Sequence, residues 1–117
     1  MAVAGADASR GDVWIADLDP TRGHEQAGRR PAVVVSVDLF NHGPAGLVII
    51  VPLTSRDRGI PTRVEVNPPE GGLTRASFAK CEDVRSVSTE HLSRRLGRVT
   101  SETLAEIEDR LCILLGL

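Results

Sequence analysis

The sequence predicts a mainly β domain, a small and strongly curved antiparallel sheet or barrel closed on one side by a C-terminal helix. Three observations carry this. Two β-branched runs, "PAVVVSV" and "LVIIVPLT", are too continuous for a sheet with one wet face. Shorter segments alternate apolar and polar residues between Gly- and Pro-rich turns. The last stretch, "TSETLAEIEDRLCILLGL", instead repeats its apolar residues at helical spacing.

Taken in order, "MAVAGADASR" is small and polar, with an acidic Asp7 and neither a basic start nor an apolar run. It reads as a disordered lead over residues 1–10 rather than a targeting sequence, leaving residues 11–117 as one domain. "DVWIADL" (Asp12 to Leu18) is the first strand, and "DPT" ends it: Pro20 fixes φ and Asp19 caps the bend. Pro31 to Val37 and Leu47 to Thr54 are buried strands flanking the polar turn "FNHGPAG". Thr62 to Val66 and Ala76 to Val84 alternate on either side of the turn "NPPEGG", and "RLGRV" makes a short sixth strand. A short helix is expected around Thr89 to Arg95. In the final helix Thr100 or Ser101 is the N-cap, Glu102 lies in the first turn, and Leu104, Ile107, Leu111 and Leu114 form the apolar stripe before Gly116.

With 117 residues, 41% of them hydrophobic and only 3% aromatic, the chain has an aliphatic core of one domain's size. The formal net charge of -2 does not exclude a nucleic-acid partner, because binding depends on how charge is distributed. Of the 14 basic residues all but Lys80 are arginine, whose planar fork fits a phosphate bidentately. Cys81 and Cys112 lack metal-ligand spacing and are expected to be reduced core thiols. No run is long enough to span a membrane, so the expected location is cytoplasmic.

The segment "GHEQAGRRP" (Gly23 to Pro31) concentrates ionisable residues. Gly23 and Gly28 have P-loop spacing, but Arg29, Arg30 and Pro31 stand where Lys and Ser/Thr are needed, and a strand follows where a helix is needed. It reads instead as a flexible charged loop, Asp19 to Arg30, feeding a strand. Arg30 stands directly before that strand, where its backbone is held; the bland alternative is a surface pair with Glu25 or Asp57. Thr54 and Ser55 end an apolar strand beside Arg56 and Arg58, a set suited to phosphate contacts, although Thr54 alternatively only starts a turn. In "KCED", strand alternation sends Lys80 and Glu82 to one face and Cys81 and Asp83 to the other. A cation beside a carboxylate suits phosphodiester chemistry, or is an ordinary surface pair. His42 and His91 are read as solvated. Trp14, Phe40 and Phe78 are the only aromatic candidates for base stacking, Trp14 being better suited to the core or an interface.

The stretches "GDVWIADLDPTRGHEQAGRRPAVVVS", "VPLTS", "KCEDVRSVS" and "LGRVTSETLAEIEDRL" resemble the MazF, PemK and Kid toxins of bacterial toxin-antitoxin systems, from about Gly11 to the end of the chain. The resemblance implies an SH3-like antiparallel barrel with a C-terminal helix, working as a homodimer. It implies cleavage of single-stranded mRNA at short sequences without metal or other cofactor, giving 2′,3′-cyclic phosphate and 5′-hydroxyl ends and halting translation and growth. It also implies an antitoxin whose C-terminal tail lies over the RNA groove. Arg30 matches the family's catalytic arginine and Thr54 its catalytic threonine or serine. Glu25 falls on a glutamate of the same loop, and His24 on the histidine of the Kid branch. Lys80 and Glu82 stand where Kid has Arg and Asp, so their roles transfer by charge type only.

RNA cleavage by its own 2′-hydroxyl needs a base, an acid for the departing 5′-oxygen and a cation against the developing phosphorane charge. The expected assignment gives Arg30 the charge and Thr54 the phosphate position, with Glu25, Glu82 or His24 as base. Arg29, Ser55, Arg56, Arg58, Lys80 and Arg85 are the expected RNA contacts. Base choice is expected from unstacked bases read on their edges. Two rivals share this outline: a CcdB-like inhibitor that binds DNA gyrase without enzymatic activity, and an SH3-like binding module without catalysis.

Overall fold

The third strand organises the molecule. In the computed structural model, which describes residues 4–18 and 28–117, β1 spans Asp12–Leu18, β2 Gly28–Val34 and β3 Leu47–Thr54. β4 spans Arg63–Val66, β5 Ser77–Lys80, β6 Arg85–Ser88 and β7 Leu92–Arg98. Two α-helices, α1 (Asp38–Asn41) and α2 (Ser101–Leu115), complete it. The antiparallel order is β4-β5-β3-β2-β1-β7, and β6 also pairs with β3. One edge of β3 therefore meets β2, while the other meets β6 along Leu47–Ile50 and β5 at Leu53 and Thr54. Splitting one edge between two partners bends the sheet into a barrel-like curve. No pairing closes it between β4 and β7 among the described residues.

Cores on both faces explain why the β-branched runs do not alternate. Val13, Val33, Val51 and Leu53 point into one core, which Ile107, with Leu104 and Leu111 beside it, covers from α2. Trp14, Ala16, Ala32, Val34, Val48 and Ile50 fill the other, together with Leu92 and Ala8. Trp14 is buried, and its Nε1 donates to Asp12 Oδ2 at 3.2 Å, so it serves the core.

The expected disordered lead is corrected from Ala4 onward: Ala4–Asp7 form a 3-10 turn and Ala8 is fully buried. Small side chains are what let it dock, since a Cβ on Gly5 would lie 2.4 Å from the Thr89 carbonyl oxygen. Arg10 then ties this segment down, donating from Nη1 to the Val35 carbonyl at 2.8 Å and pairing with Glu108 of α2.

Other boundaries move for local reasons. β2 begins at Gly28 and ends at Val34, because Val35 N and Ser36 N both donate to Ile49 O, at 2.9 and 3.4 Å, a two-against-one bulge. Ser36 Oγ accepts from Ile49 N at 2.9 Å and Asn41 Nδ2 donates to Ser36 O at 2.9 Å, so the expected polar turn begins with α1. The helix expected over Thr89 to Arg95 is a single 3-10 turn, Thr89–His91, after which β7 pairs with β1 from Leu92. The strand expected over Ala76 to Val84 is broken after Lys80 by a 3-10 turn at Cys81–Asp83. α2 matches its signals: Thr103 N donates to Thr100 Oγ1 at 3.1 Å, and Gly116 adopts φ 70°. Leu114, expected in the apolar stripe, is exposed together with Ile113, Leu115 and Leu117.

Candidate active site

Arg30 and Thr54 share one cleft. The β2–β3 register pairs Ala32 with Pro52 and Val33 with Val51, which brings Arg30, two residues before Ala32 in β2, and Thr54, two residues after Pro52 in β3, to the same end of the pair. Both line a cleft of about 370 Å³, with Ser55 beside them. Its other polar walls are Thr74, Arg75, Ser77 and Arg94, and its apolar walls include Ile15, Leu53, Leu73 and Leu96. Among the described residues, every ionisable one on this lining is an arginine. Thr54 is 9% exposed, and its Oγ1 accepts from Arg56 N at 3.2 Å. The hydroxyl thus makes the turn and borders the cleft, and its proton remains available to a phosphate oxygen.

Arg75 and Arg94 carry no local signal in the sequence that marks them for a site. What carries them to the cleft is the 3-10 turn Glu70–Gly72, which lies on β7 with no room for side chains. A Cβ on Gly72 would stand 2.1 Å from the Leu96 carbonyl oxygen, and one on Gly97 would stand 2.8 Å from the carbonyl carbon of Gly71. Paired glycines ahead of "LTR" are the available signal, and by themselves they indicate only a turn. Ser77 Oγ donates to the Arg75 carbonyl at 3.1 Å and steadies the segment beyond. On β7, bulges on either side of Arg94 and Arg95 leave Arg94 opposite Ile15 and Arg95 opposite Trp14.

The remaining expected residues are placed elsewhere. The expected pairing of Lys80 with Glu82 on one strand face is corrected by the 3-10 turn. Cys81 is fully buried in the core, and burial, with the Glu82 charge nearby, pushes its thiol up to about 11. Lys80 and Asp83, 5% and 7% exposed, face each other at 3.8 Å, and Arg85 joins Asp83 at 3.2 Å. Glu82 pairs with Arg63 at 2.8 Å. Arg29 donates from Nη2 to Ser93 Oγ at 3.2 Å. Arg56 and Arg58 sit on the exposed turn after Ser55, where Asp57 Oδ1 accepts from Gly59 N at 2.9 Å. None of Arg29, Arg56, Arg58, Lys80, Glu82 or Arg85 lines the cleft. Phe40 and Phe78 are half-buried and also lie off it, His42 contacts the Ala8 carbonyl at 2.9 Å, and Cys112 is exposed rather than a core thiol. Glu25 and His24 lie outside the described residues. Among the described residues, no group of three or more His, Cys, Asp or Glu is placed to hold a metal ion.

Comparison with known proteins gives the family. The family described as PemK-like, MazF-like toxin of type II toxin-antitoxin system matches residues 9–115. The chain belongs to this family. It is 39% identical over 113 residues to endoribonuclease MazF9 of Mycobacterium tuberculosis, covering 92% of this chain and 96% of that protein. The crystal structure of MazF from Deinococcus radiodurans superposes with a TM-score of 0.82 at 32% identity, over 93% of this chain and 96% of that one. A mycobacterial endoribonuclease in complex with its cognate antitoxin superposes with a TM-score of 0.74 at 28% identity, over 95% of both chains. The toxin family's curved antiparallel sheet with a C-terminal helix is the fold found here. Among the described residues, no helix of this toxin is long and apolar enough to cross a membrane.

Proposed function

We propose that this toxin is an endoribonuclease that cuts single-stranded mRNA by attack of the 2′-hydroxyl on the adjacent phosphate, without a metal ion. The observation that carries the reading is that Arg30 and Thr54 line one cleft whose ionisable residues, among those described, are all arginine. The O2′–P bond forms as a base removes the 2′-proton, and the P–O5′ bond breaks as an acid protonates the leaving oxygen. The products are a 2′,3′-cyclic phosphate and a 5′-hydroxyl. Arg30 stabilises the charge on the phosphorane oxygens, and the Thr54 hydroxyl fixes the phosphate by a hydrogen bond. Glu82 is engaged by Arg63 at 2.8 Å and stands off the cleft lining, which favours Glu25 or His24, five and six residues before Arg30, as the base. Lys80 and Arg85 then act structurally through Asp83, while Ser55 lines the cleft and Arg29, Arg56 and Arg58 lie beyond its lining.

The partners follow from the same reading: mRNA in the cytoplasm, a second copy of the chain, and an antitoxin whose tail competes for the cleft. The exposed Ile113, Leu114, Leu115 and Leu117 support a homodimer, since such an apolar end is poorly tolerated by an isolated monomer.

The test is incubation of the purified protein with long single-stranded RNA in excess EDTA, beside Arg30→Ala and Thr54→Ala variants, with analysis of fragment ends. Cyclic-phosphate ends from the parent, absent with Arg30→Ala, are expected. Intact RNA with every protein would remove the catalytic reading and direct attention to gyrase binding. Full cleavage by Arg30→Ala would remove Arg30 from the chemistry. If His24 is the base, the parent's kcat/KM rises with pH through about 6.5 and His24→Ala abolishes that dependence.

A further inference from the structure

Arg75 and Arg94 reach the cleft from two elements distant in sequence, the segment before β5 and the middle of β7, and meet on the same lining as Arg30. No ion pair among the described residues involves either of them. Their neighbour Arg95 is, by contrast, committed to buried Asp12, Nε to Oδ1 at 3.2 Å. Two exposed arginines lining one concave surface, with no carboxylate among its described lining residues, repel one another and lower their energy by taking up an anion. The scaffold beneath them is fixed, because glycines 71, 72 and 97 press the Glu70–Gly72 turn directly onto the β7 backbone. Hydroxyls of Thr74 and Ser77 and the apolar Leu73 and Leu96 share that wall, a surface able to hold a sugar-phosphate and the edge of its base.

Resting on the ribonuclease reading above, we propose that Arg75 and Arg94 form a second phosphate subsite, which holds an RNA phosphate adjacent to the scissile one while Arg30 and Thr54 hold the scissile phosphate. The pair positions substrate and takes no part in bond breaking, so its removal weakens binding and leaves the chemical step intact.

Arg75→Ala, Arg94→Ala and the double variant are each compared with the parent in cleavage and in binding of a fluorescein-labelled, mixed-sequence 2′-O-methyl oligonucleotide, which retains every phosphate but cannot be cut. Each single change is expected to raise KM about five- to tenfold with kcat retained. The slope of log affinity against log salt is expected to fall by about 0.7 for each phosphate that the variant no longer neutralises. Replacing phosphates of a cleavable RNA one at a time by neutral methylphosphonate should locate one non-scissile position that weakens the parent and has no effect on the double variant. Unchanged KM, affinity and salt slope would overturn the subsite, as would a fall in kcat at constant KM, which would move the pair to the scissile phosphate. Circular dichroism of the variants, and partial recovery in Arg94→Lys, separate removal of the phosphate-binding cation from damage to the fold. If the parent fails to cut RNA, the ribonuclease reading falls; the binding and salt-slope arms still test the anion subsite by themselves.

Discussion

Replacing Asp12 by alanine should remove much of this domain's stability margin, because one carboxylate joins three parts of the chain. Asp12 is 2% exposed; Oδ2 accepts from Ser9 N at 2.9 Å and Trp14 Nε1 at 3.2 Å, Oδ1 accepts from Arg98 Nη1 at 3.1 Å, and Arg95 forms an ion pair with Oδ1, Nε lying 3.2 Å away. Stranding the buried indole N–H costs about 2 kcal/mol and removing the turn bond to Ser9 about 1 kcal/mol. Both arginines are about half exposed, 49% and 52% at the side chain, so breaking each pair costs only about 0.5 kcal/mol. The total is therefore about 4 kcal/mol, a fall in Tm of about 15 °C for a domain of this size. Urea unfolding followed by the emission of Trp14, the single tryptophan, should show a lower midpoint at unchanged slope. Asp12→Asn retains an oxygen acceptor for the indole and the Ser9 amide while turning a neutral amide toward the arginines, and should cost about 1.5 kcal/mol. An alanine variant less than about 1 kcal/mol weaker than the parent would refute this account of the network. Equal destabilisation by Ala and Asn would show that charge, rather than the acceptor, carries it.

Gly72→Ala forces a Cβ into 2.1 Å of the Leu96 carbonyl oxygen at a φ of 69°, so a destabilisation of about 3 kcal/mol or more in urea unfolding is expected, with KM for RNA raised as the cleft wall shifts. A thiol reagent at pH 8 should titrate Cys112 in the native protein and both cysteines in urea, because Cys81 is buried with its thiol pushed up to about 11. The unfolded thiol ionises near 9.0 and the folded one near 11, so the folded state retains its proton longer, and stability should fall as pH rises through that window. Thr54→Val removes the acceptor for Arg56 N at 3.2 Å together with the phosphate donor; cleavage should drop about 10²-fold while Thr54→Ser retains most of it, measured as kcat on one RNA.

Element positions are legible in the sequence where apolar patterning is local and burial decides, as in β1, β3 and α2. The errors lie where a long-range contact overrides the local pattern. Alternation through "KCED" assumes a continuing strand, but Cys81 belongs to the core, and the 3-10 turn that puts it there swings Asp83 back toward Lys80. A small-residue lead looks unstructured until β7 and the Thr89–His91 turn offer Gly5 and Ala8 a surface. Motif and strand position single out Arg30 and Thr54, and both line the cleft. Arg75 and Arg94 are not legible, because no local pattern tells that the residues after "GG" will lie across a cleft from the middle of the last strand.

The net charge of -2 is reconciled with an anionic substrate by where the carboxylates are placed. Asp12 is committed to Arg95 and Arg98, Asp83 to Lys80 and Arg85, Glu82 to Arg63, and Glu108 to Arg10. At physiological salt an exposed charge is screened beyond about 8 Å, so RNA approaching the cleft responds to the charges lining it rather than to the sum over the chain. Among the described residues those lining charges are three arginines. An arginine-lined cleft on an acidic chain also limits adhesion to nucleic acid elsewhere on the surface, concentrating attraction where the scissile phosphate must sit. An acidic segment of an antitoxin would find the same complementary surface, which is the physical basis of the proposed competition between antitoxin and substrate.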